Sequence, residues 1–201
     1  MKKSLLGLLL AAALVVPAFA AKGDTSINAK LGLGVNSNVA VSGAMISGAD
    51  DVFYELKTDM PFMLGAEFFY GTSDNLSIGF GANYVFDTDS KSNSKISGGT
   101  TNIYVAIKPE AKIESNIFTS LYLIGQFGLS FGRTDTEIEG DALSIDRGLY
   151  LGAGFGVTIK DAVFVELIFS SCNGKLKEDG IQLGDIQYNI TSVNVGYKFN
   201  I

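Results

Sequence analysis

From Leu76 to Phe86 the chain reads LSIGFGANYVF, with Leu76, Ile78, Phe80, Ala82, Tyr84 and Phe86 on alternate positions. Ser77, Gly79, Gly81 and Asn83 fall between them. A period of two is the mark of a strand with two unlike faces. Seven other runs share it. Ile27, Ala29, Leu31, Leu33 and Val35 form the first apolar face, and Phe62, Leu64, Ala66, Phe68 and Tyr70 the second. Ile103, Val105, Ile107, Pro109, Ala111 and Ile113 form the fourth, and Leu121, Leu123, Phe127, Leu129 and Phe131 the fifth. Leu149 to Ile159, Val163 to Phe169 and Thr191 to Ile201 complete the set.

No Asp, Glu, Lys or Arg occupies any of these apolar-face positions. The charges sit on the other face, as Lys30, Glu67, Lys108, Glu110, Lys112, Glu166 and Lys198, among glycines and small polar residues. A soluble β-sandwich or ligand-binding barrel turns its apolar face inward and a well-charged face to water. Here the uncharged face is bulky in every run, and the other has too little volume for a solvated shell. Lys or Arg on a lipid-facing barrel wall costs ~2–4 kcal/mol at the midplane. The pattern therefore reads as apolar out and polar in.

The runs suit tilted membrane-spanning strands of ~9–11 residues. Short links, at 71–75, 114–116 and 160–161, alternate with long polar ones at 37–59, 87–99, 133–146 and 173–186. The fold expected is all-β: an eight-stranded antiparallel up-and-down transmembrane barrel with its long loops outside the cell. The closing run, TSVNVGYKFNI, keeps its alternation to the last residue. A last strand that must pair with the first to remove the sheet edges has no freedom to fray.

The N-terminus reads MKKSLLGLLLAAALVVPAFA: two lysines, an apolar run, then Ala18-Phe19-Ala20. That is a cleavable secretory signal, with Ala18 and Ala20 at the peptidase site. The organisation expected is a signal peptide over 1–20 and one barrel domain over 21–201. With 21 acidic against 15 basic residues the chain is a poor match for nucleic acid. The lone Cys172 forms no internal disulfide.

Signal, alternating runs and aromatic terminal strand together resemble the small outer-membrane barrel family, the OmpA-like and OmpX-like eight-stranded barrels of Gram-negative bacteria. The resemblance covers essentially the whole mature chain. It implies residence in the cell outer membrane, contact with its lipid and lipopolysaccharide, and delivery by periplasmic chaperones to the barrel-assembly machinery. That machinery reads aromatics at two-residue steps in the last strand. Tyr197 and Phe199 match the spacing, while Ile201 stands where the family usually has Phe.

The residues argue against an enzyme. Enzymes of this architecture generally use a histidine, and the chain has none. No cofactor or metal site is expected. The GAGFG at 152–156 lacks the dinucleotide spacing and reads as inward glycines that make room for Tyr122 or Tyr150. Tyr70, Tyr84, Tyr197 and Phe199 read as interfacial girdle. The acidic long loops read as solvated, though they could bind a divalent cation or an unidentified surface ligand. Lys30, Glu67, Glu166 and Lys198 all point inward. Counted from their strand ends, they form a structural cluster in the periplasmic half, pairing Glu67 with Lys30 and Glu166 with Lys198. Three roles remain open: a closed barrel that supports the envelope or presents loops, a narrow or gated channel, and a soluble secreted ligand-binding barrel.

Overall fold

A computed structural model describes residues 23–43, 52–89, 97–113, 115–134, 137–138, 141–178 and 181–201. The strands, in chain order, are β1 (Thr25–Gly43), β2 (Val52–Lys57), β3 (Phe62–Ser73), β4 (Leu76–Asp89), β5 (Ser97–Lys112), β6 (Phe118–Thr134), β7 (Glu137–Ile138), β8 (Asp141–Ile145), β9 (Gly148–Ile159), β10 (Val163–Glu178) and β11 (Ile181–Asn200). Eight of them form the wall, in the order β1-β3-β4-β5-β6-β9-β10-β11, and β11 returns to β1. Every pairing is between sequence neighbours or closes the ring, and all are antiparallel. The expected barrel is the observed one.

The ladders fix its stagger. From Ile27 one row passes through Phe68, Phe80, Val105, Phe127, Leu151, Ser171 and Asn189, then meets β1 again at Asn38. The return lies eleven residues up the strand (38 less 27), one of which is the bulge at Val35 between Gly34 and Asn36. A stagger of about ten over eight strands tilts them by roughly 40°. A strand's position around the ring therefore matters as much as its end when heights are compared.

Outward side chains form an apolar belt, with Leu123 62% and Val105 61% exposed. Phe68 and Phe80 stack at 5.4 Å on it, and Tyr197 and Phe199 pack at 4.7 Å near its inner rim. Of the short links, the one between β3 and β4 is tighter than expected and the one between β9 and β10 is a residue longer. The β3–β4 turn is Asp74-Asn75, and residues 160–162 join β9 to β10. In the latter, Ala162 N–H donates to Ile159 O at 3.2 Å, while Lys160 and Asp161 hold φ of 49° and 57°.

The long links depart from expectation. Much of what reads as loop in 37–59, 87–99, 133–146 and 173–186 is strand, so the wall continues past the belt. β1 pairs with β11 as far as Ser42↔Asp185 and with β2 as far as Gly43↔Val52. The Val35 bulge reverses the two faces of β1, turning Ser37 inward. Above the belt apolar residues such as Tyr188 and Ile190 point in, and Asn38, Asn189 and Gln187 stand on the outward rows. The sense is that of a soluble barrel, so the apolar-out signal stops although the ladder does not. Two wall strands are each made of two pieces: β2 with β3, broken around Pro61, and β8 with β9, broken at 146–147.

Candidate functional site

Among the described residues, side chains fill most of the interior. Met63, Phe69, Val85, Ile124, Ile168 and Ile190 are buried there beside Tyr104 and Tyr150, whose rings stack at 5.2 Å. The lumen is thus less polar than expected, and its charges sit in a frame of aromatic and aliphatic groups.

At its centre Lys30 Nζ lies 2.6 Å from Glu67 Oε1 and 3.3 Å from Glu166 Oε2. Three donors converge on Glu67 Oε1: Lys30, the Tyr104 hydroxyl at 2.9 Å and the Gln126 amide at 3.0 Å. Tyr122 O–H donates to Glu166 Oε1 at 3.0 Å. The network runs outward as Tyr150 O–H donates to Gln126 Oε1 at 2.7 Å. Asn102 then donates to Asn83 Oδ1 at 2.6 Å, and Cys172 Sγ–H to Asn102 Oδ1 at 3.5 Å. A second cation, Lys108 Nζ, lies 4.7 Å from the Phe69 ring centre and 4.8 Å from that of Tyr122. Lys108 Nζ also lies 3.8 Å from Glu110 Oε2, so each of the two buried lysines has a carboxylate partner. An ionised group in a low-dielectric interior persists only with such compensation.

Glycines make the space. A Cβ on Gly81 would stand 2.7 Å from Glu67 Cγ and 2.8 Å from Tyr104 Cε2. One on Gly65 would stand 3.0 Å from Lys30 Cγ, and one on Gly156 2.5 Å from Tyr122 Cζ. Gly152 is likewise filled by Gln126 and Tyr150. The inward glycines of GAGFG therefore accommodate tyrosines, as the sequence suggests. A cavity of about 20 Å³ remains beside Lys30, Gln126 and Tyr150, room for about one water.

Two expectations need correction. Glu166 pairs with Lys30, and Lys198 stands apart. In the ladders Glu166 faces Asn194, which faces Gly32, whereas Lys198 faces Asn28. Lys198 is thus four residues closer to the periplasmic end of β11 than the residue level with Glu166, about 13 Å along a strand. Counting from strand ends ignores the stagger. The same error placed the cluster in the periplasmic half. Lys30, Glu67 and Glu166 each lie midway along the apolar stretch of their own strand, so the cluster is central in the belt. Parity alone puts Tyr104, Tyr122, Gln126 and Lys108 inward, but recognising them as partners requires the register.

β11 is closed to its end. Ile201 N–H donates to Thr25 O at 2.9 Å, and Thr25 Oγ1 donates to Ile201 O at 2.9 Å. Tyr197 and Phe199 face outward beside Ile201. Ala18 and Ala20 lie outside the described residues, as do Asp50, Asp51, Asp135, Glu139 and Asp179 of the acidic links. No group of three or more potential metal-ligating side chains occurs among the described residues. In the outer part Asp146 accepts hydrogen bonds from Lys177 Nζ and from Arg147 N–H, both at 2.9 Å. The Lys177 bond, then the Arg147 amide, hold its carboxyl below the usual range.

A closed ring, an apolar exterior and an internally neutralised interior define a transmembrane β-barrel. The profile of the outer membrane protein beta-barrel domain matches residues 6–199, and the chain belongs to that family. It resides in the cell outer membrane. Its fold is similar to that of Neisserial surface protein A, with a TM-score of 0.52 and 13% identity over 89% of this chain and 100% of that one. It is also similar to the outer membrane protein AlkL, with a TM-score of 0.52 and 9% identity over 90% of this chain and 92% of that one. No curated relative matches at the level of sequence.

Proposed function

We propose that this protein is a closed, non-conducting outer-membrane barrel that supports the envelope and carries a paired β-wall beyond the membrane for contact with surface partners. The observation that supports this is the filled lumen at mid-belt. There Lys30, Glu67, Glu166, Tyr104, Tyr122 and Gln126 bond to one another, and a water-sized cavity lies beside them. Barrels of eight strands have interiors that side chains can fill. Catalysis is left out of this reading because the chain has no histidine and the buried glutamates are engaged with Lys30 and with tyrosines.

Reading Tyr197, Phe199 and Ile201 as the assembly signal, and 1–20 as the leader, belongs to the same proposal. Chaperone delivery and contact with lipopolysaccharide follow from it. Planar-bilayer recording tests the central part. The wild-type barrel gives no steady unitary conductance, and a stable ohmic pore in it would support the gated-channel alternative instead. A protein released from membranes by carbonate without detergent would support the soluble barrel.

A further inference from the structure

Glu67 is bonded on one side only. Its Oε1 accepts from Lys30, Tyr104 and Gln126, while its buried Oε2 has no hydrogen-bond partner among the described residues. Asn28 Oδ1 is in the same condition, and Asn28 faces Glu67 directly across the β1–β3 ladder. Two neighbouring buried acceptors therefore lack a donor, which is costly in a dry interior. On its other side Asn28 faces Lys198, so β11, β1 and β3 carry Lys198, Asn28 and Glu67 in one ladder row. Lys198 is half-buried and forms no ion pair among the described residues. The other lumen cations nearby are committed. Lys30 Nζ is shared between Glu67 Oε1 and Glu166 Oε2, and Lys108 Nζ lies over the Phe69 and Tyr122 rings beside Glu110. A metal ion would add charge next to an ammonium already 2.6 Å from the same carboxylate. Lys198 adds none that the lumen does not already hold. Two strand spacings of about 4.8 Å separate it from Glu67, a span that its four-carbon stem and the glutamate stem bridge from opposite ends.

We propose that the Lys198 side chain has a second position, in which its ammonium passes over Asn28 and donates to Asn28 Oδ1 and Glu67 Oε2, and that this contact fixes the register in which β11 closes on β1. Alternation alone cannot fix it. A slip of one residue turns the apolar side chains of β11 inward, but a slip of two leaves both faces as they were. Charge reads the difference. In the observed register Lys198 meets Asn28, with Glu67 behind it. Slipped by two residues one way it meets Lys30, and like charges face each other across the seam. Slipped the other way it meets Ser26, behind which stands Phe69. Selecting one register among several of similar packing is the best-attested role of buried polar and ionic groups. Asn28 and Glu67 sit on strands adjacent in the chain, whereas Lys198 arrives with the final strand, so the contact forms only when the ring closes.

The test uses the full-length mature barrel in a Cys172→Ser background, folded in detergent micelles and then oxidised. Two outward cysteine pairs report the register. Leu33→Cys/Val193→Cys face each other across the observed ladder, and Leu33→Cys/Val195→Cys face each other only after a slip of two residues. With Lys198 in place the second pair cross-links poorly, because a disulfide needs Cα atoms within about 7 Å. Lys198→Met raises that slipped cross-link by roughly tenfold, the scale of one net hydrogen bond. Lys198→Arg, which keeps the charge and the reach, leaves it low. Should Lys198→Met fail to fold, Lys198→Glu is read in its place: facing Lys30 in the slipped register, it makes the slipped cross-link the main product. The contact itself is read by magic-angle-spinning NMR of the barrel in bilayers, as a correlation between Lys198 Nζ and Glu67 Cδ at ion-pair distance. A slipped cross-link that stays at the wild-type level in a folded Lys198→Met or Lys198→Glu barrel overturns the proposal. So does a Glu67 whose second oxygen meets only water or the Asn28 amide.

Discussion

Lys30 and Glu67 are joined at 2.6 Å although they do not face each other: across the β1–β3 ladder Lys30 faces Gly65 and Glu67 faces Asn28. The lysine reaches diagonally over Gly65, and from that position it also meets Glu166 on β10. One cation therefore ties strands on both sides of the closing seam between β11 and β1. Removing it strands two buried carboxylates. Lys30→Met should destabilise the barrel by ~3–5 kcal/mol, the scale for breaking a buried pair from one side. Glu67→Gln should cost less, because it keeps an acceptor for Tyr104 and Gln126 and leaves Lys30 with Glu166. Urea unfolding in detergent micelles ranks the two, and the reverse order would show that Glu166 does not share the lysine.

Glycine positions should divide by face. Gly156→Val must displace the Tyr122 ring and Gly81→Val the Glu67 stem, so both should prevent folding or cost at least ~1–3 kcal/mol through overpacking. Gly125 faces outward, and a Cβ there meets Ile107 Cγ2 at 3.3 Å and nothing closer. Gly125→Val should fold as wild type. Gel migration before and after boiling reads all three.

The β9–β10 turn holds two non-glycine residues in the left-handed region, Lys160 at φ 49° and Asp161 at φ 57°. For L-residues that region costs roughly 1–2 kcal/mol, a cost glycine avoids. Asp161→Gly should therefore stabilise the barrel, by up to ~1 kcal/mol after its greater unfolded-state freedom is counted. An unfolding midpoint below wild type would contradict this geometry.

The Asp146–Lys177 contact should make the outer wall sensitive to acid. The Asp146 carboxyl is held below its ordinary range. The folded arrangement is thus favoured while the carboxylate is ionised, above the ordinary aspartate pKa. That contribution is lost as pH falls through the lowered folded value. Amide exchange over 141–148, corrected for intrinsic rates, should quicken on acidification, and Asp146→Asn should show the faster exchange already at neutral pH. Identical pH profiles in the two proteins would remove the contact from the account.

Much of this barrel is legible in the sequence because one rule governs each strand of the belt. Parity assigns Leu123 outward and Tyr122 inward without knowledge of any neighbour. What parity cannot supply is the relative height of strands. Glu166 and Lys198 look matched when counted from their ends, yet in the ladder Glu166 faces Asn194, four residues from Lys198. The wall above the belt is missed for another reason. Above the belt the polarity of the two faces inverts, so the inward Tyr188 and Ile190 no longer fit an apolar-out pattern although their backbones remain paired.

The central claim is that alternate residues face lipid and a filled interior, and spin labels along β6 test it most directly. With Cys172→Ser as background, single labels at residues 121 to 129 are placed in the barrel folded into bilayers. Collision with oxygen and with a water-soluble nickel chelate is then measured at each site. Labels replacing Leu121, Leu123, Phe127 and Leu129 should meet oxygen and not nickel, while those replacing Tyr122, Ile124 and Gln126, where they fold, should meet neither. Nickel collisions at the odd positions, or accessibility without a two-residue period, would contradict the account.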